Sequence, residues 1–181
     1  MQTILDTIVT LVGLATVGQY AWSLRAHFAS DQVPTGTKVI SLAVVLSLVS
    51  YLYLQWTVEQ PAFAQIIGLL LMLASLALFW AAIFASREAN LLLAFDEKKP
   101  HGIVAIGPYQ YVRHPFYLSY LIFWGAWAIA SWHLLGALPF IAMLAIYVTA
   151  ARGEEQKFEN SPLAEDYRAY RKRAGFLWAK F

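Results

Sequence analysis

Apolar runs of about 20 residues follow one another through most of this chain, separated by short polar connections, and a run of that length matches the ~30 Å of hydrocarbon in a bilayer. Such a chain must satisfy its backbone internally, as helices, wherever lipid replaces water. Composition agrees: 60% of the 181 residues are hydrophobic and only 13% are charged, about half the usual share for a soluble domain. The expectation is an all-α multi-pass membrane protein in a single domain. The N-terminus, Met-Gln-Thr-Ile-Leu-Asp, lacks the basic region of a signal peptide, so the first run is expected to remain as a helix.

The runs predict spans at about Ile4 to Leu24, Val39 to Trp56 and Ala62 to Ala85, then a hairpin of two short helices between Tyr117 and Ala151, broken near Ser131-Trp132-His133 and Gly136 to Pro139. Asp6 is expected to snorkel from the outer end of the first span, and Tyr51, Tyr53 and Trp56 to form an interfacial aromatic belt. All 13 Lys and Arg fall in three places: Arg25 and Lys38, the stretch from Arg87 to Arg113, and the tail from Arg152 to Lys180. Five helices with the N-terminus outside put all three on the cytoplasmic side, as the positive-inside rule requires. The helix arriving at Ala151 is expected to continue through Phe158. After Asn160-Ser161-Pro162, a stripe of Leu163, Tyr167, Tyr170 and Ala174 under a basic face predicts an amphipathic helix on the membrane surface, anchored by Phe176, Leu177, Trp178 and Phe181.

A net charge of +2 is too small to argue for a nucleic-acid partner, and the absence of cysteine excludes disulfides, thiolate metal sites and a cysteine nucleophile. No metal set is evident. One stretch carries chemistry. From His101 to Tyr117, polar, charged, Gly and Pro residues crowd together between apolar segments, ending in Arg113-His114-Pro115 at a predicted helix start. A helix N-terminus beside an arginine suits an anionic group. The hairpin would bring Glu154 and Glu155 back to the same side. Anion donors, a carboxylate pair and aromatic rings together match the parts of S-adenosylmethionine: an amino-acid head, a ribose diol, an adenine and a sulfonium. A Gly-x-Gly-x-x-Gly dinucleotide fingerprint is absent, so such a site must be built from helices and loops.

Gly107-Pro108-Tyr109-Gln110-Tyr111-Val112-Arg113-His114-Pro115-Phe116-Tyr117, followed by an apolar hairpin, Glu154-Glu155 and Tyr167-x-x-Tyr170, resembles the isoprenylcysteine carboxyl methyltransferase family. The resemblance covers the C-terminal half. It implies one methyltransferase domain over residues 1–181, with three spans in 1–85 and the cofactor loop, hairpin and tail in 86–181. It further implies that His101, Gly102, Ile103, Val104, Tyr109, His114, Pro115, Phe116 and Tyr117 contact S-adenosylmethionine, with Glu154 and Glu155 as the cofactor-binding pair. Arg113 and Arg152 are the candidates for holding a substrate carboxylate. The chain departs from several relatives at Ala150, where they carry an arginine, and at Asn160 to Ala164, where the family has Phe-Gly before the first tail tyrosine.

The expected reaction is methyl transfer to a lipid-like or prenylated small substrate, carboxyl O-methylation foremost. A phospholipid amine or a thiol is the alternative acceptor; an amine would need a base, for which Glu155 and His101 are the candidates. Two readings from other classes remain open: a non-catalytic scaffold or transporter subunit, and a sterol-type reductase using a nicotinamide cofactor. The oligomeric state is not legible.

Overall fold

A computed structural model describes residues 2–28, 35–87 and 102–180. His101 and Phe181, used in the sequence reading, lie outside the described residues. Six α-helices account for the architecture: α1 (Gln2–Ala26), α2 (Thr35–Thr57), α3 (Ala62–Ser86), α4 (Pro115–Ser131), α5 (Ala137–Glu159) and the short α6 (Ala164–Arg173). Among the described residues there is no strand, only an isolated bridge between Val112 and Gly175.

Among the described residues, four segments are long and apolar enough to cross a membrane: Gln2–Leu24, Thr35–Thr57, Ala62–Ser86 and Leu134–Glu159. α4 has 17 residues, about 26 Å at 1.5 Å per residue, and is shorter than the hydrocarbon core. Burial offsets its shortness. Eleven of its residues are buried, so α4 is an interior helix, packed mainly on α3 and α5 and touching α2, while the other spans turn rows of Leu, Ile and Val outward. The predicted hairpin is present, but its halves are unequal, because the break falls at Trp132–Gly136, early enough to give α5 23 residues.

Local chemistry sets these boundaries. Pro61 ends the α2–α3 connection in extended backbone, and Pro115 opens α4 at the first helical position, where a missing N–H costs nothing. Trp132 terminates α4 in a left-handed conformation (φ 43°), a place normally taken by glycine. Behind that turn, a Cβ on Gly136 would lie 2.5 Å from Ser131 Oγ. Gly68 lets α3 approach α4 closely, since a Cβ there would meet Ala130 Cβ at 2.6 Å and the Ala126 carbonyl at 2.7 Å.

Two assignments from the sequence need correction. Tyr51 is no belt residue: it is fully buried, stacks on Trp127 at 5.6 Å, and donates its hydroxyl to the Gly136 carbonyl at 2.7 Å, tying α2 to the hairpin turn. Tyr53 and Trp56 are exposed, as a belt requires. Asp6 does not snorkel, because it is buried and bonded to Gln55 and Gln65. At the opposite end of the bundle, His27 meets Ser86 at 3.0 Å and Trp80 donates to Gln19 at 2.7 Å, closing α1 on α3.

Phe63 packs on Trp132, so the α2–α3 connection and the hairpin turn share one end, away from α6. Since native cysteine is absent, single-cysteine variants report sidedness cleanly. Glu59→Cys and His133→Cys should label with a membrane-impermeant maleimide from outside intact cells, and Lys172→Cys only after lysis; labelling of all three from one side would break this topology.

Candidate active site

The loop ahead of α4 is held in place by the tail. Arg113 N donates to the Gly175 carbonyl at 2.8 Å, and Gly175 N to the Tyr111 carbonyl at 2.9 Å, so the chain after α6 lies along the segment that enters α4. Gly175 is required there, since a Cβ would sit 2.0 Å from the Trp178 carbonyl oxygen. Gly107 is required too, at φ +56°, to launch the 3-10 turn Gly107–Gln110 that buries Tyr109. Tyr170, from α6, donates to the Tyr109 carbonyl at 2.7 Å.

His114, the residue before the α4 proline, is the centre of the ionic arrangement. Its Nε2 lies 3.3 Å from Glu155 Oε1 and its Nδ1 3.5 Å from Glu154 Oε2, so one ring bridges the two neighbouring carboxylates. Arg113 Nε donates to Glu155 at 2.7 Å and its Nη1 to the Ala174 carbonyl, and the guanidinium lies 5.7 Å from the Phe176 ring centroid. Tyr117 donates to Glu154. The Arg113 and Glu155 side chains are only 10% and 13% exposed, which shields the pair from solvent. Burial alone would lower the His114 pKa; hydrogen bonds and charge from Glu154 and Glu155 outweigh it and leave it above the ordinary 6.5.

Beside this cluster opens a cavity of about 370 Å³. Its polar end carries Arg113, His114, Glu154, Tyr109, Tyr167 and Tyr170, together with Gly102, Ile103 and Val104. Its other end runs between α1 and α2 along Val17, Ala21, Leu24, Ile40 and Val44, with Tyr20, Tyr117, Tyr120 and Tyr147 between the two. A single space therefore joins a charged pole to an apolar slot. Burial raises the pKa of Tyr170 to about 12 and that of Tyr109 further, so both remain neutral phenols. The Tyr167 hydroxyl is buried, burial and the neighbouring Glu155 carboxylate raise its pKa, and its ring stacks on Phe158 at 4.5 Å. Arg113, His114 and Glu154 in the lining give that pole both a donor and an acceptor for a polar ligand.

Of the sequence-predicted residues, Gly102, Ile103, Val104, Tyr109, Arg113, His114, Pro115, Phe116, Tyr117 and Glu154 all line the cavity. Glu155 stands behind them and acts on the wall through Arg113 and His114. Arg152 is exposed and is not brought to the cavity. Sequence reasoning missed the contribution of α1 and α2, and it put Tyr167, Tyr170 and Ala174 on a membrane face, whereas all three are buried against Ile103 and Phe158. Only Trp178 of the described tail anchors is exposed; Phe176 and Leu177 pack on the core. A polar residue within an apolar run, such as Tyr20, Thr37 or Ser41, was the available signal for the slot.

These features define a helical membrane protein with a cavity that meets a charged pole on its loop and tail. Residues 66–161 match the model of the isoprenylcysteine carboxyl methyltransferase (ICMT) family, and the chain belongs to that family. It is 30% identical over 113 residues to protein-S-isoprenylcysteine O-methyltransferase A of Arabidopsis thaliana, covering 59% of this chain and 57% of that protein. It is 24% identical over 164 residues to methanethiol S-methyltransferase 1 of Bradyrhizobium diazoefficiens, covering 83% of this chain and 56% of that protein. The chain thus spans a little over half the length of these curated relatives.

The His114 bridge has a pH signature. A raised folded-state pKa contributes stability that is fully present below the unfolded value and is lost as pH rises through the folded value. The difference in melting temperature between wild type and His114→Gln should therefore be largest at about pH 6 and shrink toward pH 9; a difference that grows over that range would contradict a protonated bridge.

Proposed function

We propose that this protein transfers a methyl group from S-adenosylmethionine to a membrane-embedded amphiphile, with carboxyl O-methylation of a prenylcysteine-like acid as the leading reaction. The observation that carries this reading is a cavity that joins a charged pole to an apolar slot between α1 and α2. When bound, S-adenosylmethionine supplies an electrophilic methyl on a sulfonium. Glu154 is the carboxylate in the wall, placed to accept from an ammonium or a ribose hydroxyl. Tyr117 and His114 fix the Glu154 carboxylate, and Glu155 with Arg113 fixes His114. With the basic end facing the cytosol, the cofactor enters there and the apolar part of the acceptor lies between α1 and α2.

The acid–base groups bear on the acceptor. Methyl transfer from a sulfonium is an in-line displacement, which needs alignment and exclusion of water more than proton transfer. In the described wall, His114 is held between two carboxylates, Glu154 accepts from Tyr117, and Glu155 is occupied by Arg113. Neither the Glu155 bond nor the Ala174 bond uses Arg113 Nη2, which leaves that nitrogen as a donor for an anion at the cavity wall. A carboxylate acceptor, with a pKa near 3.5, needs no base. An amine or a thiol needs one. Thiol methylation is the second reading, favoured by the similarity to the thiol S-methyltransferase that runs over 83% of this chain.

In detergent, S-adenosylmethionine should raise the melting temperature of wild type, and NADPH should not. Glu154→Ala should weaken cofactor binding by about 1.5–3 kcal/mol, the cost of a lost charge-assisted hydrogen bond, with His133→Ala unchanged. Calorimetric affinities that are equal for wild type and Glu154→Ala would remove Glu154 from the site.

The acceptor is tested separately. A prenylated cysteine analogue with a free carboxylate should take label from S-adenosylmethionine at a rate nearly flat from about pH 6 to 8, and its amide should not react. Labelling of a small thiol instead, with the acid inert, would replace the leading reaction by the second reading.

A further inference from the structure

The chain after α6 ends in a surface that the cavity does not use. Among the described residues outside the spans and the hairpin turn, the exposed large apolar side chains are Ile106, Tyr111 and Trp178, at 60%, 46% and 69%. The tail brings two of them together. Gly175 N donates to the Tyr111 carbonyl at 2.9 Å and Lys180 N donates to the same oxygen at 3.1 Å, so the chain loops from 175 to 180 with both ends on Tyr111 and Trp178 projecting between them. Lys180 Nζ donates to the Lys172 carbonyl at 2.7 Å, which draws Lys180 onto the last turn of α6, where Lys172 and Arg173 lie.

Charge is divided along α6. Glu165 and Asp166 occupy its first turn, and Arg171, Lys172 and Arg173 its last. Glu159 holds Arg168 at 2.9 Å and Arg171 at 2.8 Å. Lys172, Arg173 and Lys180 are exposed, and among the described residues no carboxylate lies at ion-pair distance from them. Attraction to the helix C-terminus accounts for cations in a last turn, but gives no reason for an exposed indole beside them. Depth supplies one. Tyr111 stands four residues ahead of Pro115, where α4 begins, so this loop lies at the level where the bundle leaves the hydrocarbon. There an amphipathic ring sits between acyl chain and headgroup, and Lys or Arg is drawn to anionic lipid. Water alone would suit the cations and not the indole, and an apolar protein partner the indole and not the cations.

We propose that Trp178 with Lys172, Arg173 and Lys180 forms a docking surface for anionic phospholipid, the indole entering the interface and the three cations meeting the phosphates. The lipid-facing side of the tail is then the reverse of the one expected from periodicity, since Tyr167 and Tyr170 face the protein. Ala174 and Gly175, in the same segment, accept from Arg113 through their carbonyls. Lipid held on the tail therefore steadies the strap that fixes Arg113 at the cavity, whatever reaction the cavity performs.

Melting of the full chain in a neutral detergent, followed by far-ultraviolet circular dichroism at constant ionic strength, tests the surface without reference to methyl transfer. Phosphatidylglycerol should raise the wild-type midpoint by about 3 °C and saturate, while phosphatidylcholine with the same acyl chains and inorganic phosphate should not. The combined variant Lys172→Gln, Arg173→Gln, Lys180→Gln should lose the rise, and Arg168→Gln with Arg171→Gln should keep it. A wild type indifferent to phosphatidylglycerol, an equal rise with phosphatidylcholine or phosphate, or a rise that the combined variant keeps overturns the proposal. If the combined variant does not fold, Lys180→Gln serves instead: a phosphatidylglycerol midpoint shifted about fivefold to higher lipid supports the surface, and an unshifted midpoint overturns it.

Discussion

The His114 ring, held between Glu154 and Glu155, is the contact on which the arrangement of the cavity's polar end depends. It joins three parts of the chain that are distant in sequence. The loop before α4 supplies Arg113 and His114, the last turns of α5 supply the carboxylates, and the tail after α6 closes over both through Ala174 and Gly175. Removing one partner leaves a buried or half-buried charge unmatched, which costs more than the pair contributes when complete. The cluster thus specifies one docking of α5 and the tail against the α4 N-terminus, with Glu154 at the cavity wall and Glu155 behind it.

α4 makes that docking possible. A helix of 17 residues, surrounded by α3, α5 and α2, carries its large aromatic residues inward, with Phe123, Trp124 and Trp127 almost wholly buried. Close approach to α3 depends on Gly68 and Ala130, because hydrocarbon offers no hydrophobic drive between helices and contact must come from packing. α1 and α2 complete the wall. At one end they leave the apolar slot, and at the other they meet at Asp6 and Gln55.

The cavity puts polar and apolar ligand parts in one space but leaves few uncommitted bases. Phenols there are kept neutral by burial, and the carboxylates are occupied by Tyr117, His114 and Arg113.

Sequence alone determined the all-helical membrane class, because apolar runs of bilayer length admit no other backbone solution, and it picked out the loop that lines the cavity, because Gly107, Pro108, Arg113, His114 and Pro115 stand out against apolar surroundings. It also put Glu154 on the same end as that loop, since a hairpin returns α5 to it. Tertiary structure decided what periodicity cannot express. Which of two adjacent glutamates faces the cavity depends on the rotation of α5 against His114, and Arg152 falls on the exposed side of that rotation. Tyr51, Asp6, Tyr167 and Tyr170 read as interfacial because an aromatic or polar residue near a span end suits water and protein interior equally well. Only the neighbours that other helices bring, Gly136 for Tyr51, Gln55 and Gln65 for Asp6, Phe158 for Tyr167 and Tyr109 for Tyr170, turned them inward.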